Sequence, residues 1–158
     1  MTTADDELDL VLAALLTGLA LNEQVSARIA AAGHPDLRFS HGFVFQHVVP
    51  GPLAIGELAR RMRVSQQAAS KAARELERLG YLEGSPDPSD GRVRRVGLSP
   101  RGHAAVEAGR EARAAVAEEL AATLGRERAA ALRGELLAAL DAAGGMEAVR
   151  ARRVPLVR

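Results

Sequence analysis

Residues 53–102 read LAIGELARRMRVSQQAASKAARELERLGYLEGSPDPSDGRVRRVGLSPRG, and the fold turns on how this stretch is parsed. Two segments with helical periodicity, 56–62 and 66–79, are separated by three residues. Leu58, Ala59 and Met62 share the inward side of the first; Ala69, Ala72, Ala73, Leu76 and Leu79 share that of the second. Ser65 precedes the second helix, where its hydroxyl can cap free backbone N–H groups, and Gly80 is a natural stop. The period then changes. Tyr81–Glu83 and Val93–Leu98 read as short strands, joined by Gly84–Gly91, almost all turn formers. Two short helices and a hairpin make a winged helix-turn-helix.

The flanks are helical. Residues 5–32 carry Leu8, Leu12, Leu15, Leu19, Val25 and Ile29 at helical spacing, with Asp5, Asp6 and Glu7 suited to the first turn and Gly33 and Pro35 at the end. Residues 38–49 predict a second, more apolar helix, with Phe39, Phe43 and Phe45 read as core, stopped by Pro50-Gly51-Pro52. Ser99-Pro100 opens a helix to about residue 122, with a seam of Val106, Gly109, Val116 and Leu120. Gly125 breaks it. Residues 126–141 form a last helix with Leu132, Leu136 and Leu140 on one stripe, and 146–158 read as a frayed basic tail. The fold class is therefore mainly α with a small β-hairpin wing.

The exposed side of helix 66–79 is left with Gln66, Gln67, Ser70, Lys71, Arg74 and Arg78. A helix fits the DNA major groove, where Gln can pair with adenine edges and Ser can read base or phosphate. Lys71 and Arg74 suit phosphate or guanine, and the helix start at Ser65 and Gln66 offers N–H groups to a phosphate. Alone, this face reads equally as a solvated surface. The hairpin adds Arg92, Arg94 and Arg95 on one short strand. Three like charges there add no stability, so a polyanion is the natural partner, and a narrow minor groove attracts Arg. Alternation puts Arg92 and Arg94 on one face and Arg95 on the other, free to pair with a carboxylate.

The motifs ELA, VSQQAASK, LERLGYLE, DPSDGR and LSPRG occur in this order between residues 57 and 102. Together they closely resemble the DNA-binding core of the MarR family of bacterial transcription regulators. The resemblance implies a homodimeric winged helix-turn-helix protein, a repressor, bound to a pseudo-palindromic operator in double-stranded DNA. It divides the chain into an N-terminal dimerisation helix (1–37), a DNA-binding domain (38–99), C-terminal dimerisation helices (100–145) and a tail (146–158). Asp90-Gly91-Arg92 matches the family's wing pair, in which the Asp orients the Arg that enters the minor groove. The implied DNA contacts are Ser65, Gln66, Gln67, Ser70, Lys71, Arg74, Asp90, Arg92, Arg94 and Arg95. One departure stands out: Ala54 replaces the usual capping hydroxyl, while Glu57 is kept. Family members often release DNA on binding small anionic aromatic effectors. The equivalent residues here are Arg38, His41, Phe45 and His47. The alternative reading is a winged-helix protein-interaction or architectural DNA-binding module without a ligand switch.

Composition excludes several other classes. The chain has 158 residues, about one domain. It has no cysteine, hence no disulfide, Cys-ligated zinc or thiol chemistry. No metal site or cofactor is expected: His41 and His47 are six apart, and His34 and His103 have no local partner. No phosphate loop, HExxH helix or nucleophile elbow appears, so no enzyme is expected. No uninterrupted apolar run approaches the roughly 18 residues of a membrane span, and the first ten residues carry four acids, so no signal peptide or membrane role is read and a cytoplasmic protein is expected. The net charge of +1 is uneven. Residues 1–54 hold six acids and two bases, whereas 55–101 hold ten bases and six acids. The positive charge lies in the segment with the motifs.

Overall fold

The computed structural model describes residues 8–150. In chain order the elements are α1 (Leu10–Ala31), α2 (His41–Val48), β1 (Leu53–Ala54), α3 (Ile55–Met62), α4 (Gln66–Arg78), β2 (Leu82–Pro86), β3 (Arg94–Leu98), α5 (Pro100–Leu124), α6 (Arg126–Ala142) and α7 (Gly145–Arg150). The three strands form one antiparallel sheet in the order β1-β3-β2. Leu53 faces Val96, Ala54 faces Arg95, and the β2–β3 ladder runs from Leu82–Leu98 to Pro86–Arg94.

The core lies where α2, α3, α4 and the sheet meet. Leu58, Ala69, Leu76 and Tyr81 are fully enclosed there, with Val44, Val48, Leu82 and Val96 around them. Small residues on α4 allow this: Ala69 and Ala73 bring the helix backbone close to its neighbours. Local chemistry fixes the ends of α4. The Ser65 side chain accepts from the Ala68 N–H at 3.1 Å. At the other end Gly80 sits at φ +80, Tyr81 N–H donates to Leu76 C=O, and Gly80 N–H donates to Glu77 C=O. That pair of bonds is a Schellman stop, whose left-handed residue favours glycine. Gly102 serves a different need. A side chain there would strike the Tyr81 carbonyl, so glycine lets α5 start against the end of α4. Ser99 caps α5 by accepting from Gly102 N–H at 3.0 Å while donating to Gly80 C=O at 2.6 Å.

The structure corrects the sequence reading at several points. Helix α1 starts at Leu10 with Asp9 as its cap, not at residue 5; Asp5, Asp6 and Glu7 lie outside the described residues. It is also long and apolar enough to cross a membrane by length and composition alone, because Thr, Gly and Asn interrupt its leucines without charging it. Its last turns pack on α5, where Arg28 pairs with Glu119 at 2.5 Å and Ile29 approaches Gly109. Helix α2 starts at His41 rather than 38, which leaves Phe39 in a turn and 69% exposed rather than in the core. Strand β1 is absent from the sequence reading, since two residues carry no period. Strand β2 runs to Pro86, into the stretch read as a pure turn; edge strands tolerate Gly and Pro. Residues 146–150, read as tail, belong to α7, which follows Gly144 at φ +74; residues 151–158 lie outside the described residues.

Candidate nucleic-acid interface

Helix α3, the turn through Arg63 and Ser65, and α4 form the helix-turn-helix. Arg63 holds the turn in a left-handed conformation, φ 54, unusual for a residue with a side chain. Ala54 ends β1 at φ −64, ψ 146 without a side-chain bond to α3. Pairing with Arg95 fixes that extended backbone, so the sheet sets where α3 starts without replacing the hydroxyl's hydrogen bond. Glu57, the acid the sequence kept, forms ion pairs with Arg60 and with Arg61 along α3.

Gln66, Gln67, Lys71 and Arg74 are exposed on α4, and Ser70 is half-buried beside them. The Arg74 guanidinium donates to the Ser70 hydroxyl at 2.9 Å, which sets its reach along the helix. The wing rises beside this face. Arg92, Val93 and Arg94 border the same concavity as Gln67, Lys71 and Arg74. The tip is closed by two aspartates. Asp87 accepts from the Ser89 N–H and hydroxyl, bonds that hold its carboxyl below the usual range. Asp90 accepts from the Arg92 N–H at 3.0 Å, so it orients Arg92 through the main chain. Arg94 is exposed but reaches back to Glu77 on α4 at 2.7 Å. Arg95 lies on the opposite side, as alternation requires, bound to Asp87 at 3.3 Å and to the Pro52 carbonyl at 2.6 Å.

A second concavity of about 710 Å³ opens between α1, α2 and α5. Arg38 and Phe45 border it, but His41 and His47 do not; both histidines are buried within the reading domain. Arg110 and Arg113, which the sequence reading passed over, complete a cationic rim, and Val25, Ile29, Phe43 and Val106 supply apolar walls. Their signal was present: 106, 109, 110 and 113 recur at helical spacing on one side of α5. Burial holds His41 below its ordinary pKa, with the Arg38 charge acting in the same sense. Its Nδ1 accepts from the Arg38 N–H at 3.2 Å, and its Nε2 faces Glu75 at 3.9 Å. Among the described residues no group of three or more His, Asp or Glu could hold a metal ion.

Tyr81 ties the segment after α1 to the start of α5. Its hydroxyl donates to Asp36 at 2.5 Å and accepts from Arg101 at 3.1 Å, with the Arg101 guanidinium 4.4 Å over its ring. Burial, reinforced by Asp36, pushes the phenol up to about 12; the donated hydroxyl in turn lowers the Asp36 carboxyl.

These elements define a winged helix-turn-helix protein with long flanking helices. Residues 40–93 match the model of the MarR family. The fold is similar to that of RV1404 from Mycobacterium tuberculosis, at 21% identity and TM-score 0.72, over 91% of this chain and 99% of that one. It is similar to a MepR mutant from S. aureus, bound to an oligodeoxyribonucleotide, at 17% identity and TM-score 0.63, over 85% and 98%. It is also similar to a probable transcriptional regulator from Pseudomonas aeruginosa, at 28% identity and TM-score 0.53, over 77% and 91%. No curated protein sequence matches the chain.

Proposed function

We propose that the protein is a sequence-specific, homodimeric DNA-binding transcription regulator of the cytoplasm. The observation that carries this is the single concavity in which the polar face of α4 meets the Arg92-bearing wing. Gln66 and Gln67 sit at the start of α4, the end that enters a major groove, with Ser65, Ser70, Lys71 and Arg74 behind them. Arg92 extends to the flanking minor groove from a tip shaped by Asp90. Arg94 and Arg95 support the wing from its acidic partners. The DNA-bound MepR mutant, of similar fold, supports the reading.

The dimer reading rests on unburied apolar surface. Leu10, Val11, Leu15 and Leu19 on α1 and Leu136 on α6 are between 50% and 85% exposed. A second copy would cover these flanks, with 1–37 and 100–145 as dimerisation segments and 38–99 as the reading domain. Repression released by a small anionic aromatic effector fits the 710 Å³ concavity, whose apolar walls carry Arg38, Arg110 and Arg113; Arg38 and Arg110 pair with Glu75 and Glu107, while Arg113 makes no ion pair among the described residues. His41 and His47 then act behind that pocket rather than in it.

Selection of bound duplexes from a random pool tests the central claim. One pseudo-palindrome should be favoured by about 10³-fold or more over random DNA. Arg92→Ala should weaken that complex strongly while leaving the protein folded. No preferred duplex would instead mark an interaction or architectural module.

A further inference from the structure

The wing carries three arginines, yet they are held in three different ways. Arg92 makes no ion pair among the described residues, and Arg95 is bound on the far side of the sheet. Arg94 lies between these cases. Its guanidinium turns away from the tip and meets Glu77 Oε1 at 2.7 Å. Glu77 is the more enclosed partner, its side chain 16% exposed against 62% for Arg94. The contact joins α4 to β3 across a gap that no turn or strand pairing spans.

Gly84 on β2 shows how the arginine gets there. Gly84 pairs with Val96, and Pro86 pairs with Arg94, so the Arg94 side chain runs diagonally across the ladder. A Cβ on Gly84 would lie 2.8 Å from the Arg94 Cζ and closer still to its nitrogens. Glycine at 84 therefore provides the channel in which the arginine lies. A carboxylate beside a DNA-facing surface repels phosphate. Neutralising Arg94 with it leaves the pair with little to offer a polyanion.

We propose that Arg94 is a positioning residue: with Glu77 and Gly84 it locks the wing at a fixed angle to the recognition helix, and it makes no direct contact with DNA. The proposal rests on the DNA-binding reading, which it refines. β1 pairs with β3 only at Leu53–Val96 and Ala54–Arg95, so from Arg94 to the tip the wing is a two-stranded hairpin, which is marginal without further support. The strut fixes where Arg92 enters the minor groove once α4 is seated.

The test uses the full chain, a mixed-sequence duplex of about three helical turns, and binding measured over about 50 to 200 mM salt. Glu77→Gln should weaken binding by roughly fivefold, the upper end for a partly exposed ion pair, although it removes a negative charge. Arg94→Gln should weaken it equally, the double variant no further, and all should keep the wild-type salt slope. Gly84→Ala changes no charge and should reproduce the loss by displacing the guanidinium. Without DNA, amides of 82–98 should exchange faster in every variant. Tighter binding by Glu77→Gln, a salt slope reduced by about 0.9 in Arg94→Gln, or unchanged wing exchange would overturn the proposal. A wild-type protein that fails to bind the duplex, with faster wing exchange in the variants, would instead refute the DNA reading and leave the strut intact.

Discussion

Tyr81→Phe isolates one oxygen at the junction between the reading domain and the flanking helices. The ring would keep its contacts with His34, Phe45 and the Arg101 guanidinium. What goes is a hydrogen bond to an ionised carboxylate, of the kind that contributes about 1.5–3 kcal/mol, and the bond accepted from Arg101, whose half-exposed guanidinium keeps the Leu79 carbonyl at 2.9 Å. Asp36 retains Arg101 at 3.4 Å, and its side chain is 33% exposed, so water recovers part of the loss. The lower end of that range, about 1.5 kcal/mol, is therefore expected. Urea unfolding at fixed protomer concentration measures it, because the stability of the proposed dimer would depend on concentration. The pH dependence is a second signature. The unfolded phenol ionises near 10.0, but the folded one is held to about 12. Between those values the unfolded chain binds fewer protons, so stability falls as pH rises through that window. The Phe variant should lack this decline. A loss under about 0.5 kcal/mol, or an alkaline decline unchanged from wild type, would refute the account.

Other outcomes follow from single residues. Arg63→Gly should raise stability by up to about 1 kcal/mol in thermal unfolding, because φ 54 strains a residue with a Cβ. The His41 pKa is lowered from 6.5, so the unfolded state protonates first and stability should fall as pH drops below 6.5. Arg38, Asp36 and Glu75 face that ring, and His41→Gln should flatten the acid limb of a urea-midpoint profile. Gln67→Ala should shift base preference in duplex selection more than it weakens random-DNA binding; equal loss on all sequences would make it a backbone contact. Leu136→Asp should shift the protein toward monomer in sedimentation, and an unchanged mass would remove α6 from the dimer interface.

The helix-turn-helix was legible because local signals agreed. Ser65, Gly80 and the small-residue stripe of α4 each point to one geometry. Ala54 shows the limit of that logic: a missing cap reads as doubt about where α3 starts, whereas a strand pair forty-one residues away in sequence fixes it. Phe39 misled for a related reason. Its apolar character suits a helix, but α2 begins only at His41, and the ring stays outside. The α1 leucines had the reverse problem. Their spacing was clear, but not the burial, because no other part of the described chain covers them. At the site, residue type identified Arg92, Arg94 and Arg95 together; only tertiary placement of Glu77 and Asp87 separates their roles.

The pairing of β1 with β3 has a mechanical consequence. Leu53 and Ala54 join the wing sheet, and Ile55 begins α3, the first helix of the helix-turn-helix, with no intervening loop. β1 thus ties the base of the wing and the two helices into one lever. In the proposed dimer, a turn where residues 33–40 and Ser99 meet the long helices would change the separation of two such levers. Because DNA offers equivalent groove faces only about every 34–36 Å, a small rotation there translates into an all-or-none mismatch, without deforming any residue that touches a base.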